Sequence, residues 1–265
     1  MNMPIETHGD GHTGNRRIAL ITGAAKGIGA AAALRLAANG DHVVLLDRDI
    51  DALSVTVAAC IELGTTAESL VVDFSDSSWI ESITTALRRL ERVDVLVNNA
   101  GIGPDNIPED WSLLEAVLAI NLMAPLRLTA ICIDYMGRGA RIINVSSILG
   151  KVGNPRNTGY CTSKHGIIGY TRALAMDVAA RGITVNAVLP GFVDTPMLHH
   201  QLKLQGEQLG VPLEQLLRNA RRRVPLKRFV RSEEVAATIS FLASTEASGI
   251  TAQSIVVDGG ATCGA

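Results

Sequence analysis

The chain has 265 residues, 47% of them hydrophobic but only 3% aromatic, and a formal net charge of −2. A near-neutral chain lacks the clustered cations that nucleic-acid binding needs, and no run of ~18 consecutive apolar residues offers a membrane span. Cys60, Cys132, Cys161 and Cys263 are far apart and form no CxxC pair, so reduced thiols in a cytoplasmic protein are expected, with no metal site.

In chain order, Met1 to Arg17 is polar and has no apolar stretch of the signal-peptide kind. Residues 1–16 are read as a disordered tail. The first aliphatic run is Arg17–Thr22, followed by an Ala- and Leu-rich helix over Gly27–Asn39 that Gly40 stops. Next come a strand at His42–Asp47, a helix near Asp51–Leu63, a strand near Ser69–Asp73, a helix near Ser77–Leu90 and a strand near Val93–Asn98. A long helix near Trp111–Met136 leads to the strand Arg141–Ser146, and a helix near Gly159–Arg181 to the strand Thr184–Leu189. The last pair is a helix near Glu233–Ala243 and a strand at Ser254–Val257. Short aliphatic strands alternating with helices predict an α/β fold, a Rossmann-type doubly wound parallel sheet with helices on both faces. Length alone, at about 150 residues per domain, allows one or two domains. No linker interrupts the alternation, so residues 17–265 are read as one domain. Residues 191–229 form the one irregular stretch, too long for an ordinary connection, and are read as a lid over a substrate.

Thr22-Gly23-Ala24-Ala25-Lys26-Gly27-Ile28-Gly29 joins the first strand to the first helix. Gly23 permits a tight turn, Gly27 close approach of backbone to a pyrophosphate, and Gly29 close packing of helix on strand. The helix start offers free N–H groups and a positive dipole end to phosphate. Asp47 ends the next strand, eighteen residues past Gly29, where a carboxylate accepts hydrogen bonds from the adenosine ribose. That carboxylate would repel a 2′-phosphate, which favours NAD over NADP. Lys26 and Arg48 pull the other way, since either could pair with such a phosphate.

Tyr160 and Lys164 are four apart on a predicted helix and share a face. A phenol of pKa about 10 is no base at neutral pH, whereas a nearby ammonium can lower it by roughly 1–3 units. Ser147 closes a strand on the side of the sheet where α/β proteins place ligands.

Taken together, TGAAKGIG (22–29), Asp47, Asp73, NNAG (98–101), Asn121, NVSS (144–147), YCTSK (160–164), PGFVDTPM (190–197) and VDGG (257–260) resemble the short-chain dehydrogenase/reductase family, in its shorter branch. The resemblance runs from about Arg17 to Gly260. It implies an oxidoreductase that moves a hydride between NAD(H) and a secondary alcohol or ketone, with Tyr160 as general acid/base. Lys164 would lower the Tyr160 pKa and bond the nicotinamide ribose. Ser147 would bond the substrate oxygen, and Asn121 would hold a water linking Lys164 to solvent. Gly23, Lys26, Gly27, Ile28, Gly29, Asp47, Arg48 and Asp73 would hold the adenosine and pyrophosphate, with Asn99, Ala100 and Gly101 beside them. Pro190, Gly191, Val193 and Thr195 would line the nicotinamide. A homotetramer built on the two long helices and the last strand is also implied.

The wording around Gly150–Gly153 and Gly182–Asn186 resembles 3-oxoacyl and polyketide ketoreductases, so an NADPH-dependent ketoreductase is the alternative. A nucleotide-binding regulator without turnover is the alternative of another class. In the lid, Met197, Leu198, Leu202, Leu204, Leu209, Val211, Leu213, Leu216 and Leu217 either cover an apolar substrate or form the stripe of two short helices. Arg218, Arg221, Arg222, Arg223, Lys227, Arg228 and Arg231 read as a solvated face, or more sharply as a site for an acidic acyl-carrier protein or coenzyme A.

Overall fold

The computed structural model describes residues 7–8, 16–105, 107 and 109–263. Its centre is an eight-stranded sheet in the order β1-β4-β3-β2-β5-β6-β7-β8. These are β1 (Thr7–His8), β2 (Ile18–Thr22), β3 (His42–Asp47), β4 (Ala67–Val71), β5 (Val95–Asn98), β6 (Arg141–Val145), β7 (Thr184–Pro190) and β8 (Ser254–Val257). Strands β2 to β8 run parallel. The edge strand β1 pairs antiparallel with β4, through Thr7↔Glu68 and His8↔Ala67. Those two residues fall within the stretch expected as a tail. Residues 1–6 and 9–15 lie outside the described residues.

The helices are α1 (Gly27–Ala38), α2 (Ile50–Glu62), α3 (Trp79–Leu90), α4 (Trp111–Leu118), α5 (Ala124–Cys132), α6 (Thr158–Val178), α7 (Pro196–Leu209), α8 (Leu213–Arg223) and α9 (Ser232–Ala243). Aliphatic strands suit this sheet because both faces are covered. Ala19 and Ile21 of β2, and Val43 and Leu45 of β3, pack with α1, α2 and α9. Their neighbours Ile18, Leu20, Val44 and Leu46 pack on the other side with α3, α5 and α6. The alternation follows from the two-residue period of a strand. Each fully buried Leu or Ile contributes about 1.5–3 kcal/mol. Alanines at 32, 33 and 37 bring α1 close to the sheet.

Two expectations are corrected. The fourth strand is Ala67–Val71, two residues earlier than predicted, because Ala67 pairs with Val43 and puts Asp73 beyond the strand end. The long helix over Trp111–Tyr135 is not uniform: α4 passes into a π-helical turn at Ala119–Met123, then α5, then a 3-10 turn at Ile133–Tyr135. This stretch also has the length and composition of a membrane span. Glu115, Asn121 and Arg127 interrupt its apolar run. Here it lies on the domain, with Val117, Ala124, Leu128 and Cys132 buried.

The order of strands reverses between β2 and β5, which opens a crevice at their carboxyl ends. The chain segments after β2, β3, β5, β6 and β7 all reach that end of the sheet.

Candidate active site

At one end of the crevice the glycine loop is held tightly. Gly23 and Gly27 have φ of 66° and 57°, a left-handed backbone that glycine takes freely. A Cβ at Gly29 would lie 2.0 Å from the Gly23 carbonyl oxygen, and one at Gly23 would lie 2.9 Å from Ala100 Cα. Ile28 packs against the core below. The Thr22 hydroxyl accepts the Asn99 and Ala100 N–H groups, both at 2.9 Å, and the Asn99 amide donates to the Thr22 carbonyl at 2.9 Å. These bonds fasten the end of β2 to the end of β5. At the start of α1, Lys26 gives no side-chain cap and the first turn holds no acid. The N–H groups and dipole there are left to meet an anion.

A cleft of about 470 Å³ runs from this loop, lined by Gly23, Asp47, Arg48, Asp73, Gly101 and Ile120 among others. Asp47 accepts the N–H of Ala25 and that of Asp49, each at 3.1 Å. The neighbouring cations are engaged elsewhere: Lys26 with Asp49 at 2.5 Å, Arg48 with Asp73 at 4.0 Å. Asp73 also accepts the backbone and hydroxyl of Ser75, which holds its carboxyl below the usual range. Glycines whose Cβ would fill the space, an open helix start and a carboxylate at the far end fit a dinucleotide.

At the other end, α6 carries Tyr160, Ser163 and Lys164, and Ser147 follows two residues after the end of β6. The Ser147 hydroxyl accepts the Leu149 N–H at 3.1 Å and is near enough to the Tyr160 phenol to oppose the effect of burial on it. Lys164 is 4% exposed. Its ammonium donates to the Val145 carbonyl at 2.9 Å and lies 5.5 Å from the Tyr160 ring centroid. Asn121 sits in the π-helical turn, a local device often found at functional sites. Its side chain accepts the Ile102 N–H at 2.8 Å and donates to the Ile102 carbonyl at 2.7 Å and the Ser163 hydroxyl at 3.4 Å. Ser163 in turn donates to the Tyr160 carbonyl. Ser147, Tyr160, Lys164 and Asn121 are thereby gathered from three elements.

Burial raises the Tyr160 phenol above its ordinary value, although the Ser147 hydroxyl opposes it. Burial also pushes Lys164 down to about 8.

At the base of the lid, a Cβ on Gly191 would lie 2.7 Å from Asp258 Cβ, which sets how closely the end of β7 passes the chain after β8. Pro190 ends β7, and Val193 is buried and bridges to Val230. Thr195 caps α7 and approaches Gly27, whose Cβ would meet its methyl at 3.2 Å. The lid stripe resolves in favour of two helices packed on each other: Leu198 and Leu217 bury against Ala220 and Phe229, while Met197, Leu204 and Leu209 stay exposed. Of the basic run, Arg228 and Arg231 pair with Glu234, and Arg221 and Arg223 lie over the rings of Phe229 and Phe192.

Thr129 and Thr171 gave no signal in the sequence, and Asn98 and Asn144 gave one only within the NNAG and NVSS motifs. Asn98 donates to Asn144 at 2.8 Å and to Thr129 at 3.0 Å, and Asn144 donates to Thr171 at 2.9 Å. This buried polar chain ties β5, β6, α5 and α6 together beneath the site. Val72, Phe74 and Ile102 line the cleft as ordinary apolar residues.

Comparison with known proteins follows the same lines. The family model described as enoyl-(acyl carrier protein) reductase matches residues 23–262. A 3-oxoacyl-[acyl-carrier-protein] reductase of Thermotoga maritima is 40% identical over 252 residues, 92% of this chain and 97% of its own. A crystal structure of an actinorhodin polyketide ketoreductase variant with NADPH superposes with a TM-score of 0.87 at 34% identity, covering 93% of this chain and 97% of that one. Levodione reductase superposes with a TM-score of 0.86 at 31% identity, covering 94% and 98%.

Proposed function

This chain belongs to the short-chain dehydrogenase/reductase family, an oxidoreductase of keto and hydroxyl groups that uses a pyridine nucleotide, and from that we propose that it reduces a partly apolar ketone to a secondary alcohol through Tyr160. The observation that carries the reading is the buried Lys164 beside the Tyr160 ring, 3.7 Å from where a Cβ on the cleft-lining Gly101 would lie. When bound, the nicotinamide supplies the hydride. The Ser147 hydroxyl donates to the substrate oxygen and Tyr160 transfers its proton there, which needs the phenol protonated, as burial keeps it. Lys164 lies beside the ring, where it could help return the proton, and would bond the nicotinamide ribose. Asn121 fixes the backbone at Ile102 around Lys164 and shares in the proton path to solvent. Residues 17–265 act as one catalytic unit, with 191–229 as its lid.

Of the two nucleotides, NAD(H) is the proposed one. Asp47 would meet the adenosine ribose with its carboxylate, and Lys26 and Arg48 pair with other carboxylates. The polyketide ketoreductase relative is described with NADPH, which pulls the other way. A second substrate reading, a 3-oxoacyl chain on a carrier protein, is favoured by the Thermotoga maritima relative's name and by the cations of α8. Exposed apolar residues on the long helices, such as Trp111, Met123 and Met176, fit the faces of a homo-oligomer, and light scattering would measure its size.

The test is a panel of ketones and 3-oxoacyl thioesters assayed with NADH and with NADPH, for wild type and Tyr160→Phe. Loss of about 10²- to 10⁴-fold is expected in the variant. Full activity in Tyr160→Phe would overturn the assignment, and nucleotide binding without turnover of any substrate would favour a regulator instead.

A further inference from the structure

Arg156 lies in the turn before α6, four residues ahead of Tyr160, with a φ of 60°. Glycine takes that left-handed backbone freely, and arginine does not. A strained residue held in place invites a question about its side chain. The Arg156 guanidinium lies 3.5 Å from the Asp105 carboxylate, in the loop after β5. Its other end lies 3.5 Å from the Gln208 amide oxygen, on lid helix α7. Asn157 adds a bond to Asp105 at 3.3 Å.

Seven residues earlier on α7, and so on the same face, the Gln201 amide donates to the Gly103 carbonyl. Gly103 packs against one edge of the Tyr160 ring, since a Cβ there would be 3.3 Å from Tyr160 Cε2. Helix α7 therefore grips the 103–105 loop at two points, one directly and one through Arg156. Arg156 joins three segments, and only its planar, forked head can bond a carboxylate and an amide at once.

We propose that Arg156 is a positioning residue that latches the lid shut above Tyr160, by bridging Asp105 and Gln208. The proposal deepens the ketone-reductase reading and rests on it. Both members of the ion pair are partly exposed, with 54% and 34% of their side-chain surface accessible. Such pairs are weak and salt-sensitive, so the latch can open in each turnover.

The test uses Arg156→Gly, since glycine takes the same φ without strain and the fold is retained. Gln208→Ala, at an exposed helical position, removes the same bridge from the other side. Hydrogen exchange of the α7 amides needs no turnover. It is expected to quicken about 2- to 5-fold in either variant, the factor for one weak exposed pair, with α6 unchanged. In steady-state assays KM for the ketone rises by a similar factor while kcat changes less than about twofold, because fewer molecules hold the closed state. Added salt should move wild type toward the variants and leave the variants in place. Arg156→Gly with unchanged α7 exchange and unchanged KM would overturn the latch, as would equal losses in the melting temperature and kcat. If no ketone is turned over by wild type, the functional reading fails, and the exchange data still decide on the latch.

Discussion

The ammonium of Lys164 lies 5.5 Å from the centre of the Tyr160 ring and donates to the Val145 carbonyl, while burial raises the phenol above its ordinary value, so that it stays protonated at neutral pH. The direction of the chemistry follows. Reduction consumes a phenol proton and should run at full rate from about pH 6 to 8, declining only as the phenol ionises. Oxidation needs the phenolate, and its rate should climb with pH across the same window. Profiles of kcat/KM against pH in both directions measure this, and an oxidation rate already on its plateau at neutral pH would contradict it.

Lys164 also has a stability consequence. Burial lowers its folded pKa to about 8 from an ordinary 10.5. Between those values the unfolded chain binds more protons, so stability rises as pH increases through that range. Below pH 8 the buried charge costs about 3 kcal/mol, part of it offset by the bond to Val145. Lys164→Met should therefore abolish turnover yet raise unfolding stability at pH 7 by on the order of 1–2 kcal/mol. Thermal unfolding at pH 7 and at pH 10 tests the sign, since the gain should shrink at the higher pH.

Asp47→Asn keeps an oxygen for the Ala25 or Asp49 N–H but removes the charge that repels a 2′-phosphate. Wild type should prefer NADH. The variant should gain at least about tenfold in kcat/KM for NADPH, a shift of roughly 1.4 kcal/mol or more. A wild-type preference for NADPH would reverse this account of Asp47.

Gly29→Ala would place a methyl 2.0 Å from the Gly23 carbonyl oxygen and 2.6 Å from the Asn99 amide. The loop must shift, so dinucleotide affinity should fall at least tenfold, with a loss of about 1–3 kcal/mol in stability. Gly153→Ala, whose Cβ meets nothing within 4 Å, is the control and should stay within about 0.5 kcal/mol of wild type. Calorimetric titration of the nucleotide and thermal unfolding separate the two variants.

Much of this site could be read along the chain because its residues are close in sequence. Tyr160 and Lys164 share a face by helical spacing, and the glycine loop announces itself between a strand and a helix. Asn121 fitted only through resemblance. Its π-helical turn is one added residue in a continuous helix, and apolar periodicity does not register it. Strand β4 starts two residues before its own apolar pattern does, because its register is set by pairing with β3.

The sequence by itself determined that aliphatic strands alternate with helices, that a dinucleotide loop precedes α1, and that a phenol and an ammonium lie one turn apart. Such features depend on backbone preference and spacing, which are local. Tertiary structure decided which distant residues meet: Thr22 with Asn99, Asn98 with Asn144, and Arg156 with Asp105 and Gln208. It also decided the charge states of Tyr160 and Lys164. A pKa depends on how much water is excluded and where the neighbouring dipoles point, and both are set only once the sheet order brings β6, α6 and the β5 loop together.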